Sequence, residues 1–316
     1  MNSSVDYLNN PWRPAPQRII KDRVLSETID QDGFALRDLL NVEQVTQLNS
    51  VFNELHDIHQ EDGGMFYSVY SQDLNYRKQI HDRIGSILSS TLKEHFKDYR
   101  VMINSFVVKA SGKKSEFYVH QDTTGLDESK FSPLNLWIPL TDVSQNNGCL
   151  GVIPRSHRMF SPYRSISFPA PFDQISETVR KYIRPLPMQK GQVLVFDNRL
   201  VHNSYLNLSG NTRVAVVCGL FPQNAKLTTC HKPKYELGDK VELIEHNDDF
   251  LLTRPNFLIN CESRPDTGIS LGWVDDNYHA ITPDGFETLC SKLGVSVYAE
   301  SDVLPMGQCN LISEPV

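Results

Sequence analysis

Between Val101 and Phe221 the chain runs through seven short β-rich stretches, 101–110, 116–120, 134–140, 149–153, 193–197, 200–205 and 213–221, each bounded by turn-forming residues. Strands this short bury little alone, so a series of them implies a sandwich or a barrel. Asn146-Asn147-Gly148 lies between two of the stretches, where a tight turn is required. The expectation is a mainly β chain built as a jelly roll.

Two amphipathic helices precede the strands. Asn41 is a good N-cap with Gln44 three residues on, and Val42, Val45, Leu48, Phe52, Leu55 and Ile58 follow at helical spacing. A second stretch carries Tyr76, Ile80, Ile84, Leu88, Leu92 and Phe96 on one face. Both stripes read as core packing against one face of a sheet. Residues 1–24, polar and holding Pro11, Pro14 and Pro16, read as an N-terminal arm. After Pro222 the pattern weakens: 231–249 is charged, 262–285 is polar with several Pro and Gly, and 284–294 suits a short helix. With no linker-like stretch, residues 1–316 are expected to form one domain, with helices and jelly-roll core in 25–222 and a C-terminal extension, 223–316, packed on that core and able to shape a substrate pocket.

The bulk properties exclude several function classes. A net charge of −7 and a pI near 5.8 disfavour nucleic-acid or anionic-membrane surfaces, which need clustered Lys and Arg. A small-molecule partner is expected, with no nucleic acid and no membrane, and the oligomeric state is open. Six cysteines without a C-x-x-C pair suggest neither a zinc knuckle nor a disulfide framework. With no secretory leader pattern and no long apolar run, the expected location is the cytoplasm.

The chemistry is concentrated in Phe117-Tyr118-Val119-His120-Gln121-Asp122. Residues two apart on a strand share a face, so His120 and Asp122 can reach one metal ion. Two His and one carboxylate on one side of an octahedral ion leave positions open for O2 and a bidentate cosubstrate, as non-haem iron oxygenases need. A His-x-Asp triplet is weak evidence alone, and His246-Asn247-Asp248 is a second instance. Only the first lies in an apolar β context with suitable partners downstream. Those partners are His202, then the turn 207–211, then Arg213 in a Val-rich stretch. A hairpin across that turn would set Arg213 opposite His202 or within a couple of positions of it. A buried Arg there needs an anion: the distal carboxylate of 2-oxoglutarate or a core carboxylate such as Asp197 would serve. Ser204 shares the face of His202 and offers a further hydrogen bond.

The run Pro133-Leu134-Asn135-Leu136-Trp137-Ile138-Pro139-Leu140-Thr141-Asp142, with Asn147-Gly148-Cys149-Leu150-Gly151-Val152-Ile153-Pro154-Arg155-Ser156-His157 and the His202–Arg213 spacing, resembles the phytanoyl-CoA dioxygenase family over about residues 30–222. The resemblance implies a double-stranded β-helix that binds Fe(II) and 2-oxoglutarate and consumes O2. His120, Asp122 and His202 match the iron ligands, Arg213 the 2-oxoglutarate partner, and Asn135 and Ser204 are weaker additions. Asn135 suits either a cosubstrate contact or a satisfied polar residue in the barrel, Trp137 either packing or substrate contact, and His157 the ordering of its own loop. Arg155 stands where the family more often has Gly. Halogenating members usually lack the carboxylate ligand, so Asp122 disfavours halogenation. The reaction implied is hydroxylation of an unactivated C–H bond of a small metabolite, with succinate and CO2 released; desaturation, epoxidation or ring formation would need only a different placement of the substrate. The rival readings are a cupin-like metalloenzyme without 2-oxoglutarate and a non-catalytic binding protein. Phe160, Tyr163, Phe168, Phe172 and Tyr182 in the insert 155–187 suit either an apolar or ring-bearing substrate or internal packing.

Overall fold

The computed structural model of the protein describes residues 19–56, 64–112, 114–159, 162–166, 168, 171–232, 240–254, 263–276 and 280–299. The N-terminal helical layer holds α1 (Arg23–Asp32), α2 (Val42–Leu55) and α3 (Leu74–His95), with β1 (Phe34–Arg37) and β2 (Met65–Tyr67) between them. The expected caps of α2 form: Asn41 accepts from the Gln44 amide while the Gln44 side chain accepts from the Asn41 amide. The helix ends at Leu55, earlier than the apolar spacing suggested, and Ile58 lies outside the described residues, as does the arm 1–18. The arm cannot extend to residue 24. Ile19 and Ile20 are buried, Ile20 bridges Phe96, and Asp22 caps α1, a helix whose short and weakly apolar sequence gave no periodic signal.

Among the described residues eight strands make the barrel: β3 (Tyr99–Lys109), β4 (Phe117–His120), β5 (Leu134–Pro139), β6 (Leu150–Val152), β7 (Arg184–Leu186), β8 (Val193–Asp197), β9 (His202–Ser204) and β10 (Arg213–Pro222). One antiparallel sheet has the order β1-β8-β5-β10-β3-β2, and the facing sheet has the order β4-β9-β6-β7. Apart from the β6–β7 pair, consecutive strands switch sheet, which is the double-stranded β-helix topology. Two local expectations change for that reason. The turn before β6 is present, with Gly148 at φ +81°, but β5 and β6 lie in different sheets. Likewise β9 and β10 form no hairpin, because β4 and β6 occupy both edges of β9 and β3 and β5 occupy both edges of β10. His202 and Arg213 therefore stand on opposite walls of the barrel.

The larger sheet is buried on both faces. Phe106, Val108, Leu134, Leu136, Ile138, Val193, Val195, Val214 and Val216 pack against the helices. Their alternates Trp137, Leu194, Phe196 and Ala215 face inwards, where they meet Leu150 and Val152 of the smaller sheet. This two-sided burial explains why these strands read as nearly unbroken apolar runs. On the outer side of the smaller sheet, Val119, Ile153 and Val201 pack with a short helix α4 (Ser176–Arg180) and with the C-terminal part of the chain.

The region after Pro222 holds more order than its composition suggested. β11 (Leu227–His231), β12 (Lys240–His246) and β13 (Ile269–Asp275) form a separate three-stranded sheet. α5 (Phe250–Thr253) lies between the last two strands, and α6 (Pro283–Lys292) agrees with the expected helix. Phe286 of α6 meets Phe172 and Tyr182, so two of the five insert aromatics serve packing. Phe160 lies outside the described residues. Arg155 has φ +65°, a left-handed conformation that favours glycine. Here an ion pair to Asp32 and a hydrogen bond to the Leu293 carbonyl hold it in place. Among the described residues no helix is long and apolar enough to cross a membrane.

Gly33 ends α1 at φ +85°, and a Cβ there would meet the His157 ring Nδ1 at 2.5 Å. Gly33→Ala is expected to destabilise the fold by about 2 kcal/mol, combining left-handed strain with the clash, read as a lowered denaturation midpoint at unchanged slope.

Candidate metal centre

The register of the smaller sheet builds the site. β4 pairs with β9 so that His120 faces His202, with ring centroids 4.2 Å apart. Each ring is oriented by its own chain: His120 Nδ1 bonds the Tyr118 carbonyl and His202 Nδ1 bonds the Leu200 carbonyl, both at 2.9 Å. A carbonyl only accepts, so both Nδ1 atoms carry the proton and both Nε2 atoms present lone pairs to one point. Asp122 completes the set with Oδ1 3.5 Å from His120 Nε2 and 3.9 Å from His202 Nε2. All three ligand atoms lie within 4.8 Å of one another, and no other such group of three or more occurs among the described residues.

The path to this geometry differs from the simple strand argument. β4 stops at His120, and Asp122 follows in an irregular segment, its amide donating to the Asn198 carbonyl at 2.9 Å. Asn135, across the barrel on β5, donates from Nδ2 to Asp122 Oδ2 at 2.6 Å. That bond occupies one carboxylate oxygen and leaves Oδ1 towards the histidines. Asn135 thus acts on the candidate ligand, a use the sequence did not suggest.

Electrostatics suit a cation. Burial alone would raise the Asp122 carboxyl, but His202, His120 and Arg164 outweigh it and hold it below the ordinary carboxylate range. Burial, followed by the neighbouring His120, pushes His202 down to about 4, so its imidazole is neutral at pH 7, as a ligand must be. The competing triplet is spoken for: His246 bonds Thr229 and stacks on Phe250, while Asp248 pairs with Arg100.

Further into the barrel lies a second feature. Arg213 is 1% exposed, lies 5.3 Å over the Trp137 ring, and makes one bond, from Nη1 to the Val107 carbonyl at 3.3 Å. Its Nε and Nη2 are buried without a hydrogen-bond partner among the described residues. The core alternative for Arg213 is closed, because Asp197 pairs with Arg199 at 2.5 Å. Lys109, opposite Arg213 in the β3–β10 ladder, is fully buried and donates from Nζ to Ser204 Oγ at 2.7 Å and to the Tyr205 carbonyl. Burial first, then the charge of Arg213, depress the Lys109 ammonium to about 6 and Arg213 to about 10, the latter by burial. Two buried basic side chains, with no carboxylate in ion-pair reach among the described residues, make a recess for an anion.

Lys109 was missed because a lone Lys at the end of an apolar strand reads as its solvent-exposed terminus. Its position two residues after Val107, on the inward phase, was the available signal. Also missed was the aromatic wall beside the histidines: Tyr70, Tyr67 and Phe117 contact one another in turn, and Phe117 and Tyr118 contact His120. His157 bonds the Asp30 carbonyl at 3.2 Å and ties its loop to α1.

A family model described as phytanoyl-CoA dioxygenase (PhyH) matches residues 29–215. Phytanoyl-CoA dioxygenase 1 of Oryza sativa subsp. japonica is 33% identical over 154 residues, 48% of this chain and 54% of that protein. Ectoine dioxygenase of Bordetella bronchiseptica is 29% identical over 170 residues, 47% of this chain and 53% of that protein. The chain spans about half the length of these curated relatives. The structure of EctD from S. alaskensis with bound Fe aligns at a TM-score of 0.48 and 18% identity over 69% of this chain and 85% of the other.

His202→Ala is expected to abolish tight Co(II) binding. Asn135→Ala, which frees the outer carboxylate oxygen of Asp122, is expected to weaken it about tenfold. Both are read from metal titration by absorption spectroscopy, and an unchanged affinity in either variant would contradict the geometry.

Proposed function

The chain belongs to the phytanoyl-CoA dioxygenase family, and on that footing we propose that it is an Fe(II)- and 2-oxoglutarate-dependent dioxygenase that hydroxylates a C–H bond of a small metabolite. The observation that carries this reading is the pairing of a converging His-Asp-His set with an anion recess on the opposite wall of one barrel. A cupin-like metalloenzyme without the cosubstrate would have no use for a buried guanidinium whose Nε and Nη2 have no acceptor among the described residues. The whole chain is read as one oxygenase domain.

In this mechanism His120, Asp122 and His202 would hold the iron. Arg213 takes the distal carboxylate of 2-oxoglutarate with its free Nε and Nη2, a fork that suits a carboxylate. Trp137 packs under the guanidinium, while Lys109, already bonded to Ser204, adds charge at the same end. Bound iron with 2-oxoglutarate and O2 supplies the oxidising chemistry, with succinate and CO2 as the cosubstrate's products. Tyr67, Tyr70 and Phe117 line the side by His120 and keep water from the substrate. These rings favour a specialised metabolite or amino-acid derivative with an apolar or ring-shaped part over an acyl-CoA, for whose phosphates no basic cluster is evident.

The reading is tested by anaerobic addition of Fe(II) and 2-oxoglutarate, which is expected to give a weak visible charge-transfer band, followed by a metabolite screen for substrate-triggered succinate. Absence of the band together with unchanged 2-oxoglutarate binding in Arg213→Ala would refute it. Arg213→Ala itself is expected to weaken 2-oxoglutarate binding by about two orders of magnitude.

A pH dependence follows from Lys109. Its ammonium titrates near 6 in the ligand-free protein, and a bound dianion raises that value, so the complex holds more protons than its parts above pH 6. Binding therefore takes up protons at pH 7, and 2-oxoglutarate affinity falls as pH rises beyond about 6. Calorimetry in buffers of different ionisation enthalpy reads the uptake directly, and Lys109→Met is expected to remove it.

A further inference from the structure

Asp122 lies outside the β-ladder, so something other than strand pairing must hold its main chain. On the amide side the turn after β8 does so, through the Asn198 carbonyl. On the carbonyl side the donor is Arg164, whose Nε gives a 2.6 Å hydrogen bond to the Asp122 carbonyl. Arg164 comes from the insert between β6 and β7, remote in sequence from the candidate ligand.

The rest of Arg164 is fully engaged. Its Nη2 donates to Glu128 Oε1 at 2.6 Å, and Nη1 donates to Glu128 Oε2 at 3.2 Å and to the Pro162 carbonyl at 2.8 Å. Both side chains of this ion pair are nearly inaccessible, at 4% and 3% exposure. The two backbones are joined as well: the Arg164 amide donates to Thr124 Oγ1 at 3.0 Å and the Thr124 amide donates to the Arg164 carbonyl at 2.9 Å. A buried ion pair gives little net stability compared with apolar packing. What this one provides is geometry, because a planar fork can grip a carboxylate with one edge and a carbonyl with Nε at the same time.

We propose that Arg164 is a positioning residue for the iron-binding carboxylate, holding the Asp122 main chain through its carbonyl with Glu128 as the fixed counter-ion. The proposal rests on the reading of His120, Asp122 and His202 as iron ligands. Asn135 sets the rotation of the Asp122 carboxylate, and Arg164 sets the backbone from which it projects. Lysine cannot replace it: a single nitrogen that keeps Glu128 gives up the carbonyl.

The test is anaerobic Co(II) titration of the full-length protein, following the visible d–d bands, in wild type, Arg164→Lys and Glu128→Gln. Arg164→Lys keeps the charge and is expected to weaken Co(II) binding about tenfold and to change the band positions, with the far-UV circular dichroism unchanged. Glu128→Gln, close in size and shape, is expected to move both readouts in the same direction by a smaller factor. A purely structural role for the pair would lower the melting temperature and leave the cobalt spectrum alone. Arg164→Lys that binds Co(II) within about twofold of wild type with an identical spectrum would overturn the proposal. Should Arg164→Lys not fold, Glu128→Gln decides by the same two readouts. Failure of the wild-type protein to bind Co(II) would instead overturn the iron reading, so the two failures are distinguishable.

Discussion

Two buried faces on one sheet are the constraint from which the rest of the structure follows. The strands β3, β5, β8 and β10 lie between a layer of helices and the barrel interior, and pleating sends alternate side chains to each. The helix-facing set, from Phe106 and Val108 to Val214 and Val216, is apolar apart from Asn104, which bonds His81 of α3. It needs α2 and α3 over it, and their apolar stripes answer that need. The inward set carries the exceptions that bear on the site: Lys109, Asn135 and Arg213 all stand on the inward phase, and each faces the site. Polar residues on that phase are costly unless they have partners. The function of the barrel is therefore written in the places where its interior departs from hydrocarbon.

The smaller sheet contributes the metal-binding side. His120 and His202 meet because β4 and β9 are neighbours, and their tautomers are set by carbonyls two residues back in each chain. Asp122 lies just past the end of β4 and is held at three points: the Asn198 carbonyl, the Arg164 guanidinium and the Asn135 amide. These come from three separate segments of the chain. A ligand held this way keeps its direction without needing a strand of its own.

Much of the fold was legible in the sequence. Apolar spacing and the Asn41–Gln44 capping box marked α2, and the short β-rich stretches coincide with seven of the eight barrel strands. β7 was overlooked because Arg184-Pro185-Leu186 has no alternation and contains a proline. The C-terminal sheet was overlooked because β13, with Gly272 and exposed Ile269, Leu271 and Trp273, carries no clean inward face. The candidate ligands His120, Asp122 and His202 were chosen from residue type and spacing, and the structure brings them together. The same reasoning linked Arg213 to His202 by a hairpin that does not exist, since both edges of each strand are taken by other partners.

The sequence by itself determined the β-rich class, the helical cover and the residue types able to bind a cation and a carboxylate, because these depend on local periodicity and on side-chain chemistry. Only the tertiary structure decided that Lys109 is buried beside Arg213, that Asn135 turns towards Asp122, and that Arg164 reaches the Asp122 carbonyl. Each of these is a meeting of segments far apart in the chain. Their cost or benefit arises from desolvation and hydrogen-bond geometry in a shared interior, and neither exists until the two sheets close on each other.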